Sequence, residues 1–203
     1  GNNGSWFQDV PLVEITAKNV SPLRFSGGKA PVTAAYGPEM VIGTYRTAQP
    51  HIAVKDSPVV FVGYGINAPE KGWNDYAGVD VKGKTVIILV NDPDYETSGL
   101  EGIFNGRAMT YYGRWTYKYE EAARQGAAAA IIVHDTVPAA YGWNVVQSSW
   151  TGAQHVADSA NGNADQSAAI GWIQKDKAQA LFASAGMDLD AAVDHVVNRD
   201  VAM

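Results

Sequence analysis

The sequence predicts a mixed α/β fold of the α+β class for this chain of 203 residues. The first supporting observation is a series of short apolar runs bounded by glycine and proline, a pattern typical of buried β-strands. The second is a helical repeat over residues 113–125 that leads directly into another apolar run. A strand, a helix and a strand at this spacing indicate a crossover unit beside a sheet.

The first half of the chain is predicted to consist mainly of strands. Short β-like runs at residues 10–16 and 40–45 are separated by Ser-Pro, Gly-Gly and Gly-Pro breaks. From residue 58 onward, VVFVGYG predicts a strand ending in glycines, and KGKTVIILVND predicts a turn that leads into a second buried strand. Gly83 suits that turn because glycine adopts a positive φ at little cost.

The clearest helix is predicted over residues 113–125, where apolar side chains recur at helical spacing. Glu120 and Arg124 stand four residues apart, in the order that supports a helix. Gly126 is placed to end the helix in a left-handed turn. The run AAAAIIVHD that follows predicts a buried strand.

The last third of the chain is predicted as a loop, a strand and two helices. Residues 151–163 are polar and contain glycine, which predicts a loop. AIGWI at residues 169–173 predicts a strand, followed by a helix over residues 174–185 that stops at Gly186. Asp188 is expected to cap the final helix.

Composition excludes several classes of function. The net charge of -6 argues against a nucleic-acid partner, because such proteins concentrate Lys and Arg to displace counterions. The longest apolar run, residues 126–133, is too short to span a membrane, so no membrane partner is expected. Without cysteine, disulfides, thiolate metal sites and thiol catalysis are excluded. The opening GNNGSWFQDV lacks the features of a signal peptide, and we expect the chain to be part of a longer protein.

Residues 63–68 read GYGINA, a GxGxxA motif that directly follows an apolar strand. A dinucleotide site would require a helix to begin there, so that its first amides meet the pyrophosphate. Pro69 and Gly72 follow at once and no helical period develops. We therefore interpret these glycines as turn residues.

The four histidines, His51, His134, His155 and His195, do not suggest a metal centre. A co-catalytic zinc site would need a His-x-Asp pair together with further acidic ligands. His134 is instead followed directly by Asp135, and adjacent residues of a strand point to opposite faces. His134 is interpreted as a structural residue at a strand end. No GxSxG nucleophile motif occurs either, so no catalytic residue is predicted.

The run NDPDYE at residues 91–96 is a weak calcium candidate. Its carboxylates, Asp92, Asp94 and Glu96, occupy alternate positions after a buried strand. The run lacks the EF-hand pattern, because no glycine stands at the sixth place. An ion-holding loop and a solvated turn both remain open.

Several aromatic residues fall in or near predicted loops, where they are candidates for contact with a substrate or a partner. Aromatic rings bring a large contact area at a small entropic cost. A position in the core is favoured for Trp115 and Tyr119. For Tyr141, Trp143 and Trp150, contact and core remain equally open. The predicted contact residues are Tyr111, Tyr112, Tyr141, Trp143 and Trp150.

Most of the chain resembles a known family. VFVGYGINAP and WNDYAGVDVKGK, together with GRWTYKYEEAARQGAAAAIIVHD, closely resemble the protease-associated domain of certain bacterial di-zinc aminopeptidases. These enzymes are relatives of glutamate carboxypeptidase and the transferrin receptor. The resemblance implies a flanking segment from the start of the peptidase domain at residues 1–30, the protease-associated domain at 31–186, and a return segment at 187–203.

The resemblance also implies a fold and a function. The fold would be a swivelling β/β/α sandwich or a near-closed β-barrel flanked by helices. The chain would be no enzyme by itself but a non-catalytic module of a zinc-dependent aminopeptidase, gating or positioning peptide substrates or contacting partners. Its catalytic residues and two zinc ions would belong to the parent's catalytic domain, with no cofactor in this chain. The expected location is periplasmic or secreted.

The expected partners are therefore the parent's own catalytic domain and peptide substrates. An alternative remains open, in which the chain is a stand-alone module that binds peptides or glycans through its loop Trp and Tyr residues. A third possibility, a hydrolase with an unrecognised site, lacks any identifiable nucleophile or metal ligand set.

Overall fold

The computed structural model of the protein describes residues 2–97 and 99–198. In chain order the strands are β1 (Leu12–Ile15), β2 (Leu23–Phe25), β3 (Val32–Ala34), β4 (Met40–Gly43), β5 (Val59–Phe61), β6 (Asn67–Ala68), β7 (Trp73–Asn74), β8 (Thr85–Leu89), β9 (Ala129–His134), β10 (Gln154–Ala157) and β11 (Ala169–Gln174). The helices are α1 (Trp115–Arg124), α2 (Thr136–Ala139), α3 (Trp143–Trp150), α4 (Lys175–Ser184) and α5 (Leu189–Asn198).

The centre of the fold is a five-stranded sheet with the strand order β4-β11-β9-β8-β5. β5, β8, β9 and β11 are parallel, and β4 pairs with β11 in the antiparallel direction. The predicted mixed α/β class is confirmed. Because β4 and β5 occupy opposite edges, the described strands form an open sheet and not the near-closed barrel that the family resemblance left as one alternative.

Helices cover both faces of this sheet. Ile87 and Ile131 point to the face packed against α4 and α5, whereas Val86 and Ile132 point to the face packed against α1 and α3. This alternation follows from the two-residue period of a strand. Burial on both faces explains why the central strands read as continuous apolar runs.

The helix ends predicted from single residues are confirmed. α1 ends just before Gly126, which has a φ of +79°, and α4 ends just before Gly186, which has a φ of +78°. Gly83, in the predicted turn before β8, has a φ of +71°. Asp188 caps α5 by accepting a hydrogen bond from the backbone nitrogen of Ala191 at 2.8 Å.

The structure corrects the prediction of a loop over residues 151–163. This stretch contains β10, which pairs with β1 in the antiparallel direction, placing Leu12 opposite Ala157 and Ile15 opposite Gln154. The partner strand lies far away in the sequence, and half of β10, with the sequence QHVA, is polar. A pairing of this kind leaves no local signal from which it could be predicted.

The structure also places two predicted loop aromatics on a helix, because Trp143 and Trp150 are the first and last residues of α3. The sequence WNVVQSSW is rich in β-branched and Ser residues, which are poor helix formers. α3 is held by packing, since Val146 and Trp150 are buried against the sheet. Tertiary burial overrides local propensity here.

The expected division of the chain at residues 30 and 186 remains a prediction. α4 and α5, on the two sides of residue 186, contribute to the same apolar cluster. Residues 1 and 199–203 of the two expected flanking segments lie outside the described residues. Within the described chain, the helices are too short or too polar for any of them to cross a membrane.

Candidate functional site

Asp92 anchors the loop that follows β8, at the carboxyl end of the parallel strands. Its side chain is buried, and its carboxylate accepts hydrogen bonds from the backbone nitrogen of Thr110 at 2.7 Å and from the Thr110 hydroxyl at 3.0 Å. Burial raises the pKa of Asp92, while the hydrogen bonds from Thr110 and the nearby charge of Lys118 act in the opposite direction. The carboxylate thus ties the two ends of the loop between β8 and α1 together.

Asp94 and Glu96, the other two calcium candidates, make separate contacts. Asp94 accepts a hydrogen bond from the backbone nitrogen of Phe104 at 2.8 Å, and Glu96 accepts one from the hydroxyl of Tyr95 at 3.0 Å. Among residues 2–97 and 99–198, no group of three or more His, Asp or Glu is placed to hold a metal ion. The described structure therefore does not bring the three carboxylates together as an ion site.

Lys118, on α1, is fully buried beside this loop. Its Nζ donates a hydrogen bond to the carbonyl oxygen of Asn91 at 2.9 Å and lies 5.6 Å from the centre of the Tyr64 ring. Burial lowers the pKa of Lys118 to about 7, against the opposing charges of Asp92 and Asp75. A buried amine and a buried carboxylate therefore lie close together beneath the carboxyl end of the sheet.

The sequence prediction missed Lys118, although a signal for it was present. Trp115, Tyr119 and Ala122 form the apolar stripe of the predicted helix. Lys118 stands three residues after Trp115 and four before Ala122, so it lies on the same stripe. A lysine at such a position predicts a buried amine that requires an acceptor.

A cleft of about 200 Å³ opens at the carboxyl ends of β8 and β9, against α5. Leu89, Val133 and Leu189 contribute apolar surface, and Tyr64 lines it as well. Ligands of open α/β sheets bind outside the carboxyl ends of the strands, where this cleft lies. Four carboxylates and one ammonium line it: Glu96, Asp135, Asp190, Asp194 and Lys175.

Lys175 occupies one side of this cleft. Its Nζ lies 2.8 Å from an oxygen of Asp135 and 3.4 Å from an oxygen of Asp190. The hydrogen bond to Asp135 raises the pKa of Lys175. Asp135 also caps α2, accepting a hydrogen bond from the backbone nitrogen of Val137 at 3.3 Å, so its position is fixed by the helix as well as by the ion pair.

A second, shallower cleft of about 450 Å³ lies between the end of β5 and α5. Its walls are mostly apolar, with Phe61, Met187 and Val196 among them. It is lined by none of the aromatic contact residues or carboxylates predicted from the sequence. The cleft beside Lys175 is therefore the better candidate for a ligand site.

The GxGxxA motif forms a turn, as predicted. Gly63 and Gly65 have φ angles of +57° and +61°, and β6 and a 3₁₀ turn at Pro69–Lys71 follow them where a dinucleotide site would need an α-helix. A Cβ on Gly65 would lie 2.9 Å from Cγ2 of Ile88. Glycine is needed here for backbone conformation and for close packing on β8.

Tyr111 and Tyr112 are brought together on the surface. Tyr111 is 53% exposed and donates its hydroxyl to Glu120 at 2.7 Å, and Tyr112 donates to Glu70 at 2.6 Å. Both rings meet the ring of Tyr117 edge-on, at 5.6 and 4.9 Å between centres. Each of the two hydrogen bonds raises the pKa of its tyrosine.

Trp150 lies in the core, where its ring packs edge-on against Trp115 at 6.0 Å and Tyr119 at 5.9 Å. It is only 8% exposed. Tyr141 and Trp143 are half-buried. Of the five predicted contact residues, Tyr111 therefore presents the most accessible ring and Trp150 the least.

His134 ends β9 and organises the aromatic residues around it. Its Nε2 lies 3.0 Å from the carbonyl oxygen of Tyr141, and its ring packs 5.5 Å from that of Trp143. Burial lowers the pKa of His134. His134 lies at the end of a strand, as predicted, and the indole of Trp143 is fixed further by donating to the carbonyl oxygen of Gly37 at 2.9 Å.

An apolar segment before and within β1 is exposed. Trp6 and Phe7 are 96% and 86% exposed, and Val10 and Leu12 are 64% and 57% exposed. Four large apolar side chains are thus exposed within seven residues, with Gln8 and Asp9 between them. Large apolar surface left exposed is typical of interaction sites. We call residues 6–12 the N-terminal apolar segment.

Comparisons with known proteins give little guidance. No protein-family model matches the sequence, and a search of curated proteins finds no match. A search of solved structures finds similarity to an aminopeptidase from Aneurinibacillus sp. strain AM-1, at 21% sequence identity and a TM-score of 0.34. The similarity covers 86% of this chain but 31% of that chain. A TM-score this low supports no conclusion about function.

Proposed function

We propose that the chain is a non-catalytic module of a zinc-dependent aminopeptidase, in which it positions peptide substrates or contacts partners. The support from sequence is the resemblance of its strand and helix motifs to the protease-associated family. In this proposal the two zinc ions and the catalytic groups belong to a separate catalytic unit, and the protein acts in the periplasm or outside the cell.

The observation that carries this proposal is the N-terminal apolar segment. The described sheet already has both faces covered by helices, so the core does not require Trp6 or Phe7. Their exposure of 96% and 86% suits a surface that is covered by another folded unit. Tryptophan and other aromatic residues supply much of the binding energy at such interfaces.

The four histidines occupy separate places in the fold. His134 is tied into β9, and His155 lies on β10, 3.4 Å from an oxygen of Glu14. His51 lies in a loop and His195 on α5. Across the residues that the structure describes, these side chains contribute to no shared ligand set.

The test is a double substitution, Trp6→Ser with Phe7→Ser, in the full-length protein. We expect a raised KM for peptide substrates, because the module no longer docks correctly beside the catalytic unit, with a smaller effect on kcat. Leu100→Ser is the matched control, since Leu100 is 72% exposed but lies outside the segment. If KM and kcat equal those of the unmodified protein, the segment is not a docking surface.

A stand-alone binding module is the second candidate, and the exposed ring of Tyr111 favours it. Its hydroxyl and that of Tyr112 are held by Glu120 and Glu70, so the two rings form a fixed platform. Such a module would bind peptides or glycans without any catalytic partner. Tryptophan fluorescence of the chain, titrated with peptide and glycan panels, tests this, and Tyr111→Ala should abolish any response.

A further inference from the structure

The cleft at the carboxyl ends of β8 and β9 binds one ammonium of its own chain and retains acceptors for another. The Nζ atom of Lys175 forms ion pairs with the carboxylates of Asp135 and Asp190. Within the described chain, no Lys, Arg or His lies within ion-pair distance of Glu96, whose contact is the hydroxyl of Tyr95. A carboxylate of the cleft is therefore available to a positively charged group.

Tyr64 is a second polar residue of the cleft. The side chain lines the cleft and is only 2% exposed. Its hydroxyl is not one of the sealed polar atoms that lack a partner among the described residues. A group bound in the cleft would lie against this tyrosine.

Tyr64 shares the cleft with Tyr95 and Glu96. Burial raises the pKa of Tyr64, and the charges of Tyr95, Glu96, Asp75 and Asp92 raise it further. Tyr64 and Glu96 are therefore two polar residues that line the same cleft.

The size and walls of the cleft limit what it can bind. Its volume is about 200 Å³, below the range of roughly 300–1,000 Å³ that sites for drug-sized ligands occupy. A single amino-acid side chain is therefore a better fit than a complete small molecule. Val133, Leu189 and Val193 offer apolar surface suited to the methylene groups of a lysine, which pack on apolar walls while the ammonium reaches polar groups.

We propose that this cleft binds the side-chain ammonium of a lysine in a peptide. Glu96 and the hydroxyl of Tyr64 accept hydrogen bonds from the ammonium, and the apolar wall contacts the aliphatic stem. That the chain binds peptides at all rests on the proposed function. The cleft adds the substrate class, namely peptides that carry an accessible lysine.

The test is calorimetric titration of the purified chain, at low salt, with a blocked Gly-Lys-Gly peptide. A blocked Gly-norleucine-Gly peptide has the same stem without the charge, and an unblocked Gly-Gly-Gly amide offers only a terminal amine. We expect the lysine peptide alone to bind. Glu96→Gln and Tyr64→Phe should each weaken its binding about three- to tenfold, the range for hydrogen bonds to charged groups near a surface.

Glu14→Gln is the matched control, because it removes a carboxylate far from the cleft and should leave binding unchanged. Tyr64→Phe keeps the buried ring and removes only the hydroxyl, so thermal unfolding should show little loss of stability. If the lysine peptide binds and neither Glu96→Gln nor Tyr64→Phe weakens its binding, the proposed site in the cleft is overturned. The proposal that the chain is a peptide-binding module would not be affected by that result.

Equal binding of the norleucine peptide, or binding of the unblocked Gly-Gly-Gly amide alone, would also overturn the lysine site. If none of the three peptides binds, the site is again overturned. The docking role of the N-terminal apolar segment is judged separately, by the kinetics of the Trp6→Ser and Phe7→Ser protein.

Discussion

The Nζ atom of Lys118 donates a hydrogen bond to the carbonyl oxygen of Asn91 at 2.9 Å, although the lysine side chain is completely buried. This bond joins α1 to the first residues of the loop after β8. The same loop is tied to Thr110 through Asp92. Lys118 therefore holds in place a loop that leads to Tyr95 and Glu96, two residues of the cleft.

Replacing Lys118 with Met should destabilise the protein. The substitution leaves the carbonyl oxygen of Asn91 without this donor and removes the positive charge near the buried Asp92. The expected loss in the free energy of unfolding is about 2–4 kcal/mol, from a lost hydrogen bond and an uncompensated buried charge. Urea unfolding measures it, and Lys82→Met, at an exposed position, should change stability by less than about 0.5 kcal/mol.

The stability of the protein should rise between about pH 7 and pH 9 because of Lys118. Its pKa is about 7 in the folded protein, against an ordinary value of 10.5. Below the folded pKa both states hold the proton, so Lys118 adds no pH dependence there. Above it the unfolded chain binds a proton that the folded chain has released, and the free energy of unfolding increases with pH. Equal slopes for the original protein and Lys118→Met over this interval would contradict the assignment.

Trp150 and Tyr111 should respond differently to truncation, although the sequence marked both as contact residues. Trp150→Ala removes a ring buried against Trp115 and Tyr119 and should cost about 3–5 kcal/mol in stability. Tyr111→Ala removes a ring that is 53% exposed and should cost less than about 1.5 kcal/mol, chiefly through the lost bond to Glu120. Thermal unfolding compares the two. A large loss for Tyr111→Ala would show that its ring is a core element.

The sequence predicted α1 and its end at Gly126 because local signals agree there, with an apolar stripe, a favourable ion pair and a glycine stop. It did not predict α3, whose residues favour other conformations and whose helix depends on burial of Val146 and Trp150. It also missed β10, because its pairing with β1 is a long-range contact and its own sequence, QHVA, mixes polar and apolar residues. Local pattern therefore predicts elements that are stabilised locally.

The candidate site was harder to predict than the fold for a related reason. Asp92, Asp94 and Glu96 stand at alternate positions within five residues, yet the folded loop gives each a different partner. The cleft instead combines Tyr64 after β5, Glu96 after β8 and Lys175 after β11. Only the strand order of the sheet brings these three segments together, and nothing in their local sequence indicates it.

The most direct test of a non-catalytic role is the aminopeptidase activity of the purified chain on leucine and alanine anilides, with zinc supplied and with a chelator added. We expect no turnover above the uncatalysed rate in either condition, because the catalytic groups are proposed to lie in another unit. Zinc-dependent turnover that survives repurification and disappears with the chelator would contradict it, and would direct mutagenesis to His51, His134, His155 and His195.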